Sequence, residues 1–233
     1  MLILFAPSKT FSFDGKKADL NLIFKDETNL IIDQIKSLSR VDFQKAFKLS
    51  DTLIHEVYDY YQSYETQDSY KAFELFKGES FKFLDYPNLK LVEQTYINKN
   101  VLVIDALYGL IKPNFGIKPY RLDFTVRSDL KRFWKDKITE YVASYHKEVV
   151  SLSSKEFDSI LDNHKIIFYE VSFIDCKDDL CKKLSVLNKQ MRGTLLKYLA
   201  INQINKVKDF PDQIGGYTKK IHHRSIEYIK VHE

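Results

Sequence analysis

Val101-Leu102-Val103-Ile104, closed by Asp105, is the stretch whose reading decides the fold. Four consecutive apolar residues describe a strand buried on both faces, the state strands adopt inside a sheet covered by helices. Upstream, Leu2 to Ala6 is a second short apolar run, ended by Pro7. That puts Ser8-Lys9-Thr10 at a strand's carboxyl end. Downstream, Val149 to Leu152, Ile166 to Ile174 and Ile226 to Val231 read as further strands.

Helical spacing fills the intervals. From Thr28 to Glu65, Leu30, Ile31, Ile35, Phe43, Phe47, Leu53 and Val57 fall on apolar stripes, and a short helix is expected over Ser69 to Phe76, stopped by Gly78. Leu130, Phe133, Trp134, Ile138, Tyr141, Val142 and Tyr145 recur at intervals of one, three and four residues, which predicts one amphipathic helix over Ser128 to His146. Shorter helices are expected over Ser154 to Leu161 and Thr194 to Ile204. Strands alternating with helices predict a mixed α/β (α+β) fold, a central mixed sheet with flanking helices in one domain spanning residues 1–233.

The 233 residues are 44% hydrophobic and 29% charged, with 7 Gly and 5 Pro, which excludes disordered and collagen-like chains. No run reaches the roughly 20 apolar residues that cross a bilayer, so no membrane association is expected. The start reaches Pro7 and Lys9 before a signal core can form, giving a cytoplasmic expectation. Two cysteines, Cys176 and Cys181, form neither a disulfide framework nor a metal set and are expected to be reduced thiols.

Formal net charge is only +4, but it is unevenly spread. Residues 112–137 hold eight Lys/Arg against three acids, and residues 182–224 hold ten against two. A polyanionic partner follows as an expectation.

Three segments carry candidate chemistry. Ser8-Lys9-Thr10 follows a buried strand, where loops of α/β proteins converge on ligands. The loop from Asp105 to Arg127 interleaves Tyr108 and Tyr120, as stacking faces, with Lys112, Lys118, Arg121 and Arg127, as phosphate-seeking charges. The bland alternative is a structural loop whose tyrosines are core. Lys189 and Arg192, just before Gly193-Thr194, are expected at a helix start, where backbone amides would add to an anion cradle. The glycine spacing there is neither a Walker loop nor a dinucleotide fingerprint. His222 and His223, with Glu227 and His232, are the only ligand-like cluster, but neighbouring strand residues point to opposite faces, so neither a metal nor another cofactor is expected. Ser8, Lys9, Tyr108, Ser153, Ser154 and Glu156 are reactive groups without a recognisable catalytic spacing, which leaves open whether a reaction is catalysed.

Taken in order, Met1-Leu2-Ile3-Leu4-Phe5-Ala6-Pro7-Ser8-Lys9-Thr10, Phe76-Lys77-Gly78-Glu79, Tyr108-Gly109-Leu110-Ile111-Lys112-Pro113, Pro119-Tyr120-Arg121-Leu122-Asp123, Phe133-Trp134, and Lys189 with Arg192-Gly193 resemble the peroxide stress protein YaaA family. The resemblance implies a cytoplasmic protein that protects against hydrogen peroxide and limits free iron and iron-driven DNA damage. It also implies binding of double-stranded or branched DNA through a basic groove, by shape rather than sequence, and a helix-hairpin-helix element. The alternative is an enzyme acting on a small anionic or nucleotide-like substrate in a pocket holding Lys9, Tyr108, Arg121 and Arg192. A deep pocket of a few hundred cubic ångströms would favour that alternative, and an open groove would favour DNA.

Overall fold

The computed structural model describes residues 1–145, 148–162, 164–178 and 180–232. In chain order the elements are β1 (Leu2–Phe5), α1 (Lys25–Lys36), α2 (Arg40–Phe47), α3 (Asp51–Gln62), β2 (Tyr70–Lys71), α4 (Ala72–Leu75), α5 (Glu79–Leu84), α6 (Leu91–Asn100), β3 (Val101–Asp105), β4 (Gly109–Ile111) and β5 (Gly116–Ile117). They continue with α7 (Asp129–Tyr145), β6 (Glu148–Leu152), α8 (Lys155–Asp158), β7 (Ile167–Lys177), β8 (Leu180–Lys182), α9 (Ser185–Ile201), β9 (Gln213–Ile214), β10 (Tyr217–His222) and β11 (Ser225–His232).

One nine-stranded sheet organises the chain in the order β4-β3-β1-β6-β7-β11-β10-β9, with β8 paired to β7. The five strands from β3 to β11 run parallel; β4, β8, β9 and β10 pair antiparallel. Every residue of β1 and β3 is buried, as their unbroken apolar runs require. The mixed α/β single-domain fold read from the alternation of periods is therefore the fold observed.

Helix α7 buries Leu130, Trp134, Ile138 and Val142 on one stripe, and Trp134 Nε1 donates to the Ala106 carbonyl at 2.9 Å. The expected helix matches it but for Ser128, which lies in the preceding turn, and His146, which lies outside the described residues. Gly109 adopts φ +68°, and a Cβ there would come within 2.7 Å of the Trp134 ring, so glycine is required twice over.

Three expectations change. The Ser69–Phe76 segment splits into β2, paired with β5, and α4. The last helix begins at Ser185 rather than Thr194, because Gly193 is not a helix boundary but a contact point. A Cβ on it would meet the Ser80 carbonyl oxygen at 2.1 Å, and only glycine lets α9 cross α5 this closely. Cys176 and Cys181 are joined in a disulfide rather than free. The β7–β8 register sets them directly opposite, with Cα atoms 4.0 Å apart.

Candidate anion-binding site

From β1 the chain crosses to β3 on one side of the sheet, and later returns to β6 on the other side of β1. The gap between the carboxyl ends of β1 and β6 is thus a topological switch point, where diverging loops leave a crevice. A cavity of about 380 Å³ occupies it. Ala6 to Thr10 come from the end of β1, and Leu152, Ser154, Glu156 and Phe157 from the end of β6 and from α8. Tyr120 to Asp123 form another wall, with Gly78 to Phe81 at the start of α5 and Lys189 and Arg192 on α9.

Local structure fixes the first wall. Ser8 Oγ accepts the Thr10 amide at 3.1 Å, Thr10 Oγ1 donates to the Lys77 carbonyl at 3.1 Å, and Lys77 N–H returns a bond to the Thr10 carbonyl at 2.9 Å. The absent side chain of Gly78 makes room, since a Cβ there would sit 2.8 Å from Ser8 Oγ.

The cations that meet here are held differently. Lys9 Nζ pairs with Asp123 Oδ2 at 2.5 Å, yet the Lys9 side chain stays 56% exposed. Burial opposes ionisation of Asp123, but the Lys9 and Thr125 hydrogen bonds, the Lys9 charge and the Val126 amide prevail and hold its carboxyl below the usual range. Arg121 forms no ion pair with any described residue; Tyr61 bonds its backbone carbonyl at 3.0 Å and leaves its side chain free to line the cavity. Arg192 is the deepest of the set. Burial lowers its pKa, while Asp158 and Glu170 oppose that shift through their charges without coming within ion-pairing distance. Its Nε is buried without a hydrogen-bond partner.

Glu156 adds a further carboxyl group to the lining, and Asp158 follows it on α8 outside the lining. Burial and the Asp123 charge raise the Glu156 pKa, and Glu156 Oε1 is also buried without a partner. Asp158 is raised by burial as well, partly offset by hydrogen bonds from Ser151, at 2.6 Å, and Ser153. Four buried side-chain polar atoms lack partners among the described residues, and two of them belong to Glu156 and Arg192, residues that line this cavity.

Lys9, Tyr120, Arg121, Lys189 and Arg192 are therefore brought together from three distant segments. Lys189 and Arg192 sit one turn apart within α9, not at its start, so no free amides assist them. Tyr120 contributes a wall and no stacking face: it is 3% exposed and its hydroxyl donates to buried Asp105. The other four predicted residues lie elsewhere. Tyr108 is fully buried and exchanges hydrogen bonds with the Lys118 backbone at 3.0 and 3.2 Å. Lys118 is itself 8% exposed, its Nζ donating to the Tyr64 and Glu65 carbonyls. Arg127 is bidentate to Asp129, and Lys112 lies over the Phe115 ring at 5.2 Å. Sequence reasoning named Glu156 only among reactive groups and did not name Asp158. Their place just after the β6 run was the available signal.

Fold and site together define an α/β protein with a cation-lined cavity at the switch point of its parallel strands. Among known proteins, the chain belongs to the peroxide stress protein YaaA family, which it matches over residues 1–220. It is 30% identical to a UPF0246 protein of Fusobacterium nucleatum, with 93% of this chain and 92% of that protein covered. It is 31% identical to a UPF0246 protein of Rickettsia bellii, covering 94% and 92%, and 31% identical to one of Malacoplasma penetrans, covering 90% of each.

Proposed function

We propose that this protein acts in the cytoplasmic response to peroxide by binding a small phosphate-bearing ligand in the switch-point cavity. The observation that carries the reading is the convergence of Lys9, Arg121, Lys189 and Arg192 on a cavity of about 380 Å³. That volume is in the range of small-molecule sites. Its cations are placed for differential use: Lys9 can exchange Asp123 for a ligand phosphate, and Arg121 forms no ion pair with any described residue. Charge-assisted bonds to phosphate are the strong class of hydrogen bond, and a partly enclosed site strengthens them further. Whether chemistry follows binding turns on Glu156, whose carboxyl lines the cavity and is raised in pKa by burial and the Asp123 charge.

DNA is the second reading, favoured by the exposed Lys9 and Lys189 at the cavity mouth. Contacts of this kind engage phosphates and would select shape over sequence. For the helix-hairpin-helix element of that reading, α2 and α3, joined by Lys48-Leu49-Ser50 with Lys48 at φ 51°, are the pair we propose. Limiting of iron-driven DNA damage would be the physiological outcome.

Titration of inorganic phosphate and of a branched duplex into wild type and into Arg121→Ala/Arg192→Ala separates the two. The expected result is at least ~10-fold weaker phosphate binding by the double variant with an intact melting transition, as loss of two charge-assisted contacts predicts. Duplex binding that is lost in the variant while phosphate never competes would favour the DNA reading instead.

A further inference from the structure

We infer that Cys176 and Cys181 form a peroxide-operated pair: hydrogen peroxide joins them and clips β8 onto β7, and an external dithiol releases the clip. The inference takes only the peroxide setting of the family and stands apart from what the cavity binds.

Exposure divides the two sulfurs into roles. Every residue of β8 is exposed, Cys181 included, whereas Cys176 on β7 is 8% exposed. Oxidant arrives from solvent, so Cys181 is the sulfur it meets first. The antiparallel register sets Cys176 directly opposite, between the pairs Asp175–Lys182 and Lys177–Leu180. With Cα atoms 4.0 Å apart, the second sulfur is within bonding reach as soon as the strands pair.

The chemistry balances with hydrogen peroxide as the oxidant. The Cys181 sulfur attacks one peroxide oxygen, the O–O bond breaks, and the hydroxide that leaves is protonated to water; Cys181 becomes a sulfenic acid. The Cys176 sulfur then forms the S–S bond and displaces the sulfenic oxygen as a second water. Two thiols and one hydrogen peroxide thus give one disulfide and two waters. A dithiol reverses the bond by exchange and leaves as its own disulfide.

The bond acts on a segment with little else to hold it. β8 lies off the main path of the sheet, pairs with β7 alone through three residues, and leaves Leu180 66% exposed. An element with so few buried contacts opens readily unless it is tied. Further along, α9 has its own anchor: Asn188 accepts the Phe173 N–H at 2.9 Å and donates to the Phe173 carbonyl at 2.7 Å. The disulfide therefore governs the stretch between the two anchors, from Leu180 to Leu187, which includes exposed Lys182 and Lys183.

The test treats dithiothreitol-reduced wild type, Cys176→Ser and Cys181→Ser with hydrogen peroxide, after melting curves establish that each folds. Wild type is expected to form one intramolecular disulfide, losing the mass of two hydrogens, and to recover both thiols in dithiothreitol. In Cys176→Ser, a dimedone-trapped sulfenic acid is expected at Cys181 at least ~10-fold faster than at Cys176 in Cys181→Ser, as the difference in exposure requires. Trypsin is expected to cut after Lys182 and Lys183 at least ~10-fold more slowly in oxidised than in reduced wild type. Equal or reversed trapping rates overturn the role given to Cys181, and equal cleavage of the two forms overturns the clip. A wild type whose thiols survive peroxide, oxidise beyond sulfenic acid unpaired, or join two molecules overturns the inference as a whole.

Discussion

Tyr120 and Arg121 are adjacent in the chain and belong to different worlds. Up to Tyr120, the loop that follows β3 turns its polar side chains inward: Tyr108 bonds the Lys118 backbone, Lys118 caps two carbonyls, and Tyr120 bonds Asp105. From Arg121 the same kind of residue opens onto the cavity without an ion pair among the described residues. A lysine or tyrosine is thus structural or available according to whether the backbone nearby offers it a partner. The tyrosines and lysine before the boundary order a loop, and Arg121 just after it lines the cavity, before Arg127 pairs again with Asp129.

Asp105 tests the inward half most severely. It accepts the Leu107 and Tyr108 amides at 2.8 and 2.9 Å as well as the Tyr120 hydroxyl, and burial pushes its pKa up to about 6. Asp105→Ala strands three buried donors and is expected to cost about 3–5 kcal/mol in urea unfolding. Because the folded protein holds this proton more tightly than the unfolded chain, Asp105 contributes stability that is full below about pH 4 and lost as pH rises through about 6. Asp105→Asn mimics the protonated acid, so it should unfold with less loss of stability between pH 4 and 7 than wild type. An unaltered pH dependence in that variant would break the inward half of the comparison.

A smaller effect separates the two lysines. Lys118→Met removes the donor to one buried and one part-buried carbonyl and is expected to destabilise by about 2 kcal/mol, with ligand binding per folded molecule unchanged. Arg121→Ala should be the mildest in stability, within about 0.5 kcal/mol, because its side chain holds no structural partner. Its loss should appear in ligand affinity. A large melting shift on Arg121→Ala would place it with the structural residues.

How much of this could be read beforehand follows the same boundary. β1, β3 and α7 were legible because their burial is total or periodic, and such patterns survive any detail of the tertiary contacts. The meeting of Lys9, Arg121 and Arg192 was legible as an expectation because a charge after a buried strand and a charge-rich loop in an α/β chain tend to converge. The stacking faces of Tyr108 and Tyr120 were not, since composition cannot distinguish a tyrosine whose hydroxyl finds a buried partner from one that faces a ligand. Nor was the start of α9, where Gly193 answers to the Ser80 carbonyl more than a hundred residues away. The Cys176–Cys181 bond depends on a strand register that spacing alone does not specify.

Soaking crystals with tungstate, a heavy phosphate analogue, and locating it by anomalous scattering tests the central claim most directly. The account predicts one strong site inside the switch-point cavity, within hydrogen-bond distance of Arg121 and Arg192. Ions strung along exposed lysines with that cavity empty would contradict it.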